Sequence, residues 1–398
     1  MIIQTKQPFF AGAEENTTAV KTADSIIAQA VKSGASDIHI EQEEDGARVR
    51  LRTDGVLHEE MQLTKNVMQA VVSRIKVLAG MDIAEKRLPQ DGSIKLELDG
   101  RSVDLRISTL PTILGEKAVI RILDKEKFAL QLDELDFTPE NLKLYRSLYN
   151  YGSGIVLLTG PTGSGKTTTL YATLMELNSN ERNIVTVEDP VEYRIAGINQ
   201  VAVNEKAGLT FASGLRSILR QDPDIMMIGE VRDFDTAQTA IHAALTGHLV
   251  FSTLHTNSAA GAVVRLIDMG IEPFLAASAL RGVVGQRLVR RICPHCKTAY
   301  VAGSEEKAYL NIDMNKKLTL FKGSGCDKCR GTGYMGRIAL QEVMPVLPGM
   351  KKFILKETQE NILFNEARKF GAATMREDGV SKVLQGLTTV SELMRTVH

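Results

Sequence analysis

The run Gly160-Pro161-Thr162-Gly163-Ser164-Gly165-Lys166-Thr167 decides how this chain is read. It matches the pattern G-x-x-x-x-G-K-[ST] in full. Ahead of it, Ile155-Val156-Leu157-Leu158-Thr159 is a short apolar, β-branched run that predicts a buried strand. Behind it, Thr168 to Leu177 holds the helix formers Leu170, Ala172, Leu174, Met175 and Leu177. Strand, glycine loop and helix, in that order, are the setting a phosphate site needs. Glycine reaches torsions that a Cβ blocks. Loop N–H groups and a helix N-terminus then face a nucleotide's phosphates. The expected nucleotide-binding residues are Gly160, Pro161, Thr162, Gly163, Ser164, Gly165, Lys166, Thr167 and Thr168. Lys166 is placed to reach the β- and γ-phosphates of a nucleoside triphosphate, and the Thr167 hydroxyl to ligate Mg²⁺.

The bulk composition narrows the class. A length of 398 residues suggests two or three domains, and 43% hydrophobic residues supply a sizeable core. Lys+Arg and Asp+Glu both number 48, so the formal charge is zero. A general polyanion binder is usually basic, which weighs against nucleic acid as the partner. No apolar run approaches the roughly 18 residues of a membrane span. The N-terminal Met1-Ile2-Ile3-Gln4-Thr5-Lys6 carries no secretory apolar region. A cytoplasmic location is expected, with any membrane association made through partners.

Along the chain, residues 1–18 read as a polar arm. Residues 19–128 alternate helical and strand signals and predict a small α+β domain. Its helices are marked by Val20 to Val31 and Val67 to Leu78. Its strands fall at 38–40, 47–52, 93–98, 102–108 and 118–123, with turns at Asp54-Gly55 and Asp99-Gly100. Residues 129–150 read as a linker. In 151–292 the buried strands 155–159, 184–187, 225–229 and 249–253 alternate with helices, so this part predicts an α/β fold with a mainly parallel sheet. Its ligand belongs at the carboxyl ends of the strands. Residues 293–345 form a cysteine-bearing insertion and 346–398 read as helical.

Five further groups carry chemistry. Ile225-Met226-Met227-Ile228-Gly229-Glu230 is an apolar strand ending in a carboxylate. Glu230 is placed to orient or activate an attacking water, with Gly229 where many loop NTPases have Asp. The strand 184–187 ends in Glu188-Asp189-Pro190-Val191-Glu192, three carboxylates that repel unless a cation or an arginine lies near. Thr167, Glu188, Asp189 and Glu230 are therefore the expected Mg²⁺-associated set, with Glu188 and Glu230 as catalytic residues. His248 and His255 bracket the strand 249–253, and both are candidates for sensing the γ-phosphate. Cys293-Pro294-His295-Cys296 and Cys326-Asp327-Lys328-Cys329 use every cysteine of the chain in two C-x-x-C pairs, the pattern of a structural Zn²⁺ site. Disulfides and redox pairs are the other readings of those spacings. Arg106 and Arg121 sit amid apolar strand residues of the small domain. They are either ordinary outward-facing arginines or charge supplied to a nucleotide in an adjoining domain or subunit.

With these motifs in place, the chain resembles the type II secretion and type IV pilus assembly ATPases from about residue 22 onward. The resemblance rests on Gly34-Ala35-Ser36-Asp37-Ile38-His39-Ile40, on Asp82 to Gly92, on the phosphate loop, on Val187 to Glu192 and on Leu215 to Asp224. It implies a RecA-like motor domain preceded by a small PAS-like α+β domain and carrying the zinc-binding insertion. It makes 186–192 an aspartate box, 225–230 the Walker B strand and 246–257 a histidine box, and Gly229 is similar to what the family shows. It implies that Arg106 and Arg121 approach the nucleotide across a domain or subunit boundary. It further implies a homo-oligomer, a hexameric ring, working in the cytoplasm beneath a polytopic inner-membrane platform protein and with a cytoplasmic adaptor. The paired cysteines resemble the assembly and secretion branch rather than the retraction branch. Larger members carry a further N-terminal domain that binds membrane partners, where only the arm 1–18 stands here. Retraction of pili is the alternative within the class, and a nucleic-acid translocase is the alternative outside it.

Overall fold

The computed structural model describes residues 14–98, 101–124, 131–356 and 359–397. The chain divides into two compact units, Met1–Ala129 and Leu130–His398. The expected Asp99-Gly100 turn and the first thirteen residues of the arm lie outside the described residues.

The first unit runs α1 (Glu14–Lys32), β1 (Asp37–Gln42), β2 (Ala47–Thr53), β3 (Val56–Leu63), α2 (Lys65–Leu78), β4 (Gln90–Leu98), β5 (Arg101–Pro111) and β6 (Glu116–Asp124). Helix α1 takes in residues 14–18, which the sequence reading placed in the arm. The strands form one antiparallel sheet in the order β3-β2-β1-β6-β5-β4. Period-two alternation sets its two faces. Ile38, Ile40, Val49, Leu51, Leu105, Ile107 and Ile120 join one core with Ile26, Ile27, Ala30, Met68, Val71, Val72 and Ile75 of the two helices. The intervening residues carry charge on the opposite face. There Arg106 is in register with Arg121, and Arg121 with Asp37.

The second unit continues with α3 (Pro139–Tyr149), β7 (Gly154–Thr159), α4 (Lys166–Leu177), β8 (Ile184–Glu188), β9 (Asn199–Ala202), α5 (Phe211–Ile218), β10 (Ile225–Ile228), α6 (Phe234–Leu245) and β11 (Leu249–Leu254). Next come α7 (Ala259–Asp268), α8 (Pro273–Ala279), β12 (Leu280–Ile292), β13 (Lys297–Val301), α9 (Ser304–Tyr309), β14 (Thr319–Gly323), β15 (Tyr334–Pro345), α10 (Pro348–Lys356), α11 (Glu360–Arg368), α12 (Met375–Leu384) and α13 (Val390–Thr396). Seven strands form its main sheet in the order β15-β12-β7-β11-β10-β8-β9. All neighbours are parallel except the edge pair β12–β15.

The phosphate-loop strand β7 shows why the sheet is covered on both sides. Ile155 and Leu157 point into a core built with α5, α6, α7 and α8, while Val156 and Leu158 point into a second core with α3 and α4. A strand buried on both faces reads as continuously apolar, as this one does. Two stretches differ from the reading of the sequence. Within 129–150, residues 139–149 form α3, capped by Thr138 and packed through Tyr145 and Leu148. Residues 334–345 form β15 of the main sheet rather than part of the cysteine segment.

Candidate functional site

The glycine loop joins β7 to α4 at the carboxyl end of the parallel strands. Gly160, Gly163 and Gly165 have φ of 148°, 78° and 88°, values that L side chains rarely adopt. Space is as restrictive as torsion. A Cβ on Gly160 would lie 2.3 Å from the carbonyl oxygen of Gln286, and one on Gly165 would lie 2.7 Å from its Nε2. Lys166, 8% exposed, folds back so that Nζ donates to the carbonyls of Gly160 and Pro161 at 2.7 and 3.1 Å. Burial lowers its pKa, against the attraction of Glu230. The Ser164 hydroxyl is buried with no hydrogen-bond partner among the described residues. An orphaned buried donor is costly, and a phosphate oxygen is the acceptor such a loop offers it. Thr167 is exposed and Thr168 half-buried in the first turn of α4. The donor set fits nucleotide phosphates.

Strand register brings the other groups to the same rim. Leu254 of β11 stands opposite Thr159 of β7, so His255 is level with Gly160. Ile228 of β10 stands opposite Ser252, which places Glu230 one strand further along. The Glu230 carboxylate is held by Arg232 Nε at 2.7 Å and faces His255 Nε2 at 3.5 Å. Burial lowers the His255 pKa, and Lys166 adds to the effect, so the ring is neutral near pH 7. Gly229 packs closely against its neighbours. A Cβ there would sit 3.3 Å from the Phe211 ring and 3.5 Å from Glu188 Cα.

Glu188 ends β8 and is buried. Its Oε2 accepts from the Tyr171 hydroxyl, and its Oε1 from Thr186 Oγ1 at 2.5 Å and Gln200 Nε2 at 3.1 Å. Three neutral donors hold this carboxylate. Asp189 is exposed beside it. His248 departs from expectation. It precedes β11 at the amino end of the strands, with Nδ1 on the Ala243 carbonyl at 3.0 Å. The six residues of β11 separate it from His255, so a shared phosphate-sensing role does not hold for it.

In the first unit, Arg121 is 60% exposed and pairs with Asp37 Oδ1 at 3.2 Å, and Arg106 is half-buried on the neighbouring strand. The four cysteines close a separate cluster at the end of β12. Their Sγ atoms all lie within 4.8 Å of one another. Three of the distances are 3.9 Å (Cys293–Cys326), 3.8 Å (Cys296–Cys329) and 3.7 Å (Cys326–Cys329). A tetrahedral zinc with Zn–S of about 2.3 Å has sulfur–sulfur edges of about 3.8 Å, whereas a disulfide is about 2.05 Å long. The spacing therefore fits a metal and excludes a disulfide. Burial opposes ionisation of Cys329, but N–H groups of Cys326 and Gly333 on its sulfur bring its pKa to about 6. His295 is exposed and outside the cluster.

Two residues of this region carried no sequence signal. Gln286 of β12 lies against the glycine loop, its Nε2 donating to the Ser164 carbonyl at 2.9 Å and its Oε1 accepting from Thr169 at 2.8 Å. Glu342 of β15 accepts from the N–H of Ala259 at 2.9 Å and of Met375 at 3.3 Å, capping α7 and α12 together.

The chain matches the family model described as "Type II/IV secretion system protein" over residues 12–395. It is 50% identical over 382 residues to the type II secretion system ATPase E of Vibrio cholerae, covering 96% of this chain and 76% of that one. It is 46% identical over 389 residues to the type IV pilus assembly ATPase PilB of Myxococcus xanthus, covering 96% and 69%. Among solved structures, the Legionella pneumophila ATPase DotB matches at TM-score 0.69 and 20% identity over 94% of this chain and 95% of that one, a likeness of fold. The pilus retraction motor PilT with bound ADP matches at TM-score 0.60 and 25% identity over 94% and 96%.

Proposed function

This chain belongs to the type II/IV secretion system protein family, and from that premise we propose that it is the ATP-driven motor of a pilus-assembly or type II secretion machine. It is an ATPase, and a secretion or pilus motor by its relatives. The observation that carries the reading is the convergence of the glycine loop, Glu230 and His255 at the carboxyl rim of one parallel sheet.

In this reading Lys166 leaves the Gly160 and Pro161 carbonyls for the β- and γ-phosphates, and the Ser164 hydroxyl gains its acceptor. Glu230, fixed by Arg232, aligns a water with the γ-phosphorus and accepts its proton as the bond to the ADP oxygen breaks. Mg²⁺ would neutralise the phosphate oxygens, with Thr167 and the Glu188–Asp189 carboxylates as its neighbours. His255 reports the γ-phosphate to Glu230. Arg106 and Arg121 bring positive charge to the nucleotide from the first unit of the same or another subunit. Zn²⁺ held by Cys293, Cys296, Cys326 and Cys329 is structural.

The working form is a homohexamer in the cytoplasm, acting on a polytopic inner-membrane platform protein with the help of an adaptor. Among the described residues, no helix is long and apolar enough to cross a membrane. Assembly or export is supported by relatives described as a type II secretion system ATPase and a pilus assembly ATPase at 50% and 46% identity. Deleting the gene tests the reading: loss of pili or of secreted substrate supports it, and hyperpiliation supports retraction instead. ATPase activity stimulated strongly by DNA would argue for a translocase.

A further inference from the structure

We infer that Gln286 is a positioning residue of the phosphate loop, aiming the Gly165 amide at the nucleotide's phosphates by pinning the Ser164 carbonyl away from them. This rests on the loop being the phosphate site.

Gln286 lies on β12, which runs parallel to β7 with Gly285 opposite Thr159, so its side chain arrives beside the first residues of the loop. It is 2% exposed and its amide is used at both ends. The Ser164 carbonyl can only accept, which fixes the NH₂ end of Gln286 toward it at 2.9 Å. The Thr169 hydroxyl then donates to the carbonyl end at 2.8 Å. Thr169 is itself buried in the second turn of α4, so the amide is oriented by the helix whose N-terminus the loop feeds.

The peptide plane turns this contact into function. The C=O of Ser164 and the N–H of Gly165 belong to one planar trans unit and point in opposite directions. Holding the carbonyl toward β12 therefore directs the Gly165 N–H away from β12. An anion cradle depends on its N–H groups converging before the ligand arrives. The close approach also accounts for two glycines. Side chains at Gly160 and Gly165 would collide with the carbonyl oxygen and Nε2 of Gln286 respectively.

The test compares affinities of the full chain for ADP and ATP with Mg²⁺, read by fluorescent nucleotide titration, alongside thermal unfolding without nucleotide. Gln286→Met keeps the volume and removes both hydrogen bonds. It is expected to weaken nucleotide binding about 10- to 100-fold, the range of one charge-assisted hydrogen bond. KM should rise with it, and kcat at saturation should change less. Thr169→Val, which frees the amide to rotate, should weaken binding less, and Thr169→Ser should bind as the wild type does. A purely structural role would lower the unfolding temperature of Gln286→Met and leave nucleotide affinity unchanged, which would overturn the inference. Lys166→Ala is the control for the site. If it loses affinity while Gln286→Met does not, the inference falls and the phosphate site stands. If neither loses affinity, the phosphate site falls and the inference with it. Should Gln286→Met not fold, equal affinities of Thr169→Val and Thr169→Ser would overturn the inference, and a weaker Thr169→Val would support it.

Discussion

Nε2 of His255 stands 3.5 Å from Oε2 of Glu230, tying the end of β11 to the turn that follows β10. The two strands are neighbours, so this contact joins the ends of adjacent elements at the level of the glycine loop. Replacing Glu230 by Gln keeps the shape and removes the proton acceptor. Phosphate release is expected to fall about 10²- to 10⁴-fold while ATP still binds. Turnover at the wild-type rate would refute the role assigned to Glu230.

A second prediction concerns the metal. The small cluster around Cys293, Cys296 and Cys329 contains cysteines and little else apolar, so packing alone cannot hold it. Purified protein should carry about one zinc per chain, since four thiolates close one tetrahedral shell. Chelation should lower the unfolding temperature, and Cys296→Ser should release the metal. Elemental analysis checks the first point and calorimetry the second. Zinc-free protein with unchanged stability would count against the site.

The buried pair Lys382–Asp378 offers a stability test. Lys382 Nζ reaches Asp378 Oδ2 at 2.7 Å, with side-chain exposures of 2% and 0%. Asn141 and the Gln341 N–H complete the carboxylate's shell, so α3, β15 and α12 meet here. Removing one partner of a buried pair costs about 3–5 kcal/mol, because the other charge stays buried alone. Lys382→Met should be destabilised on that scale by denaturant unfolding, and the double change with Asp378→Leu should recover much of the loss.

Glu392 gives a pH signature. It is almost fully buried on α13 and accepts from the side chains of Arg290 and Arg395 and from the Arg290 N–H. Burial alone would raise its pKa, but these donors outweigh it and bring the value from 4.5 to about 2. A folded-state value below the unfolded one contributes stability above pH 4.5 that is lost as the pH falls toward 2. The full contribution is on the order of 3 kcal/mol. The stability gap between wild type and Glu392→Gln should be widest near neutrality and should narrow below pH 4.5. A gap independent of pH would remove Glu392 as its source.

Local chemistry was legible in the sequence, and placement across the fold was not. The glycine loop and the C-x-x-C pairs are short, and their residue types allow few other uses. Glu230 was legible because an apolar strand leads straight to it. His248 was given the role of His255 although the strand between them already set it at the other end. Both histidines belong to one twelve-residue segment, but β11 carries them to opposite ends of the sheet. Two of the partners of Glu188, Tyr171 and Gln200, come from α4 and β9, far enough away in sequence that they left no local sign. Gln286 and Glu342 belong to no motif at all. One is a glutamine and the other a glutamate inside strands, and each matters only because β12 and β15 extend the sheet beside β7. The strand β15 was itself missed as part of that sheet, since it lies beyond the cysteines in sequence.

The shared cap at Glu342 bears on cooperativity. One carboxylate serves the first amides of two helices that are more than a hundred residues apart in sequence. Burial raises its pKa, so a Glu342 stripped of either amide would be a costly buried acid. Neither helix can then open at its N-terminus without loosening the other. Slow amide exchange at Ala259 is therefore expected to be matched at Met375.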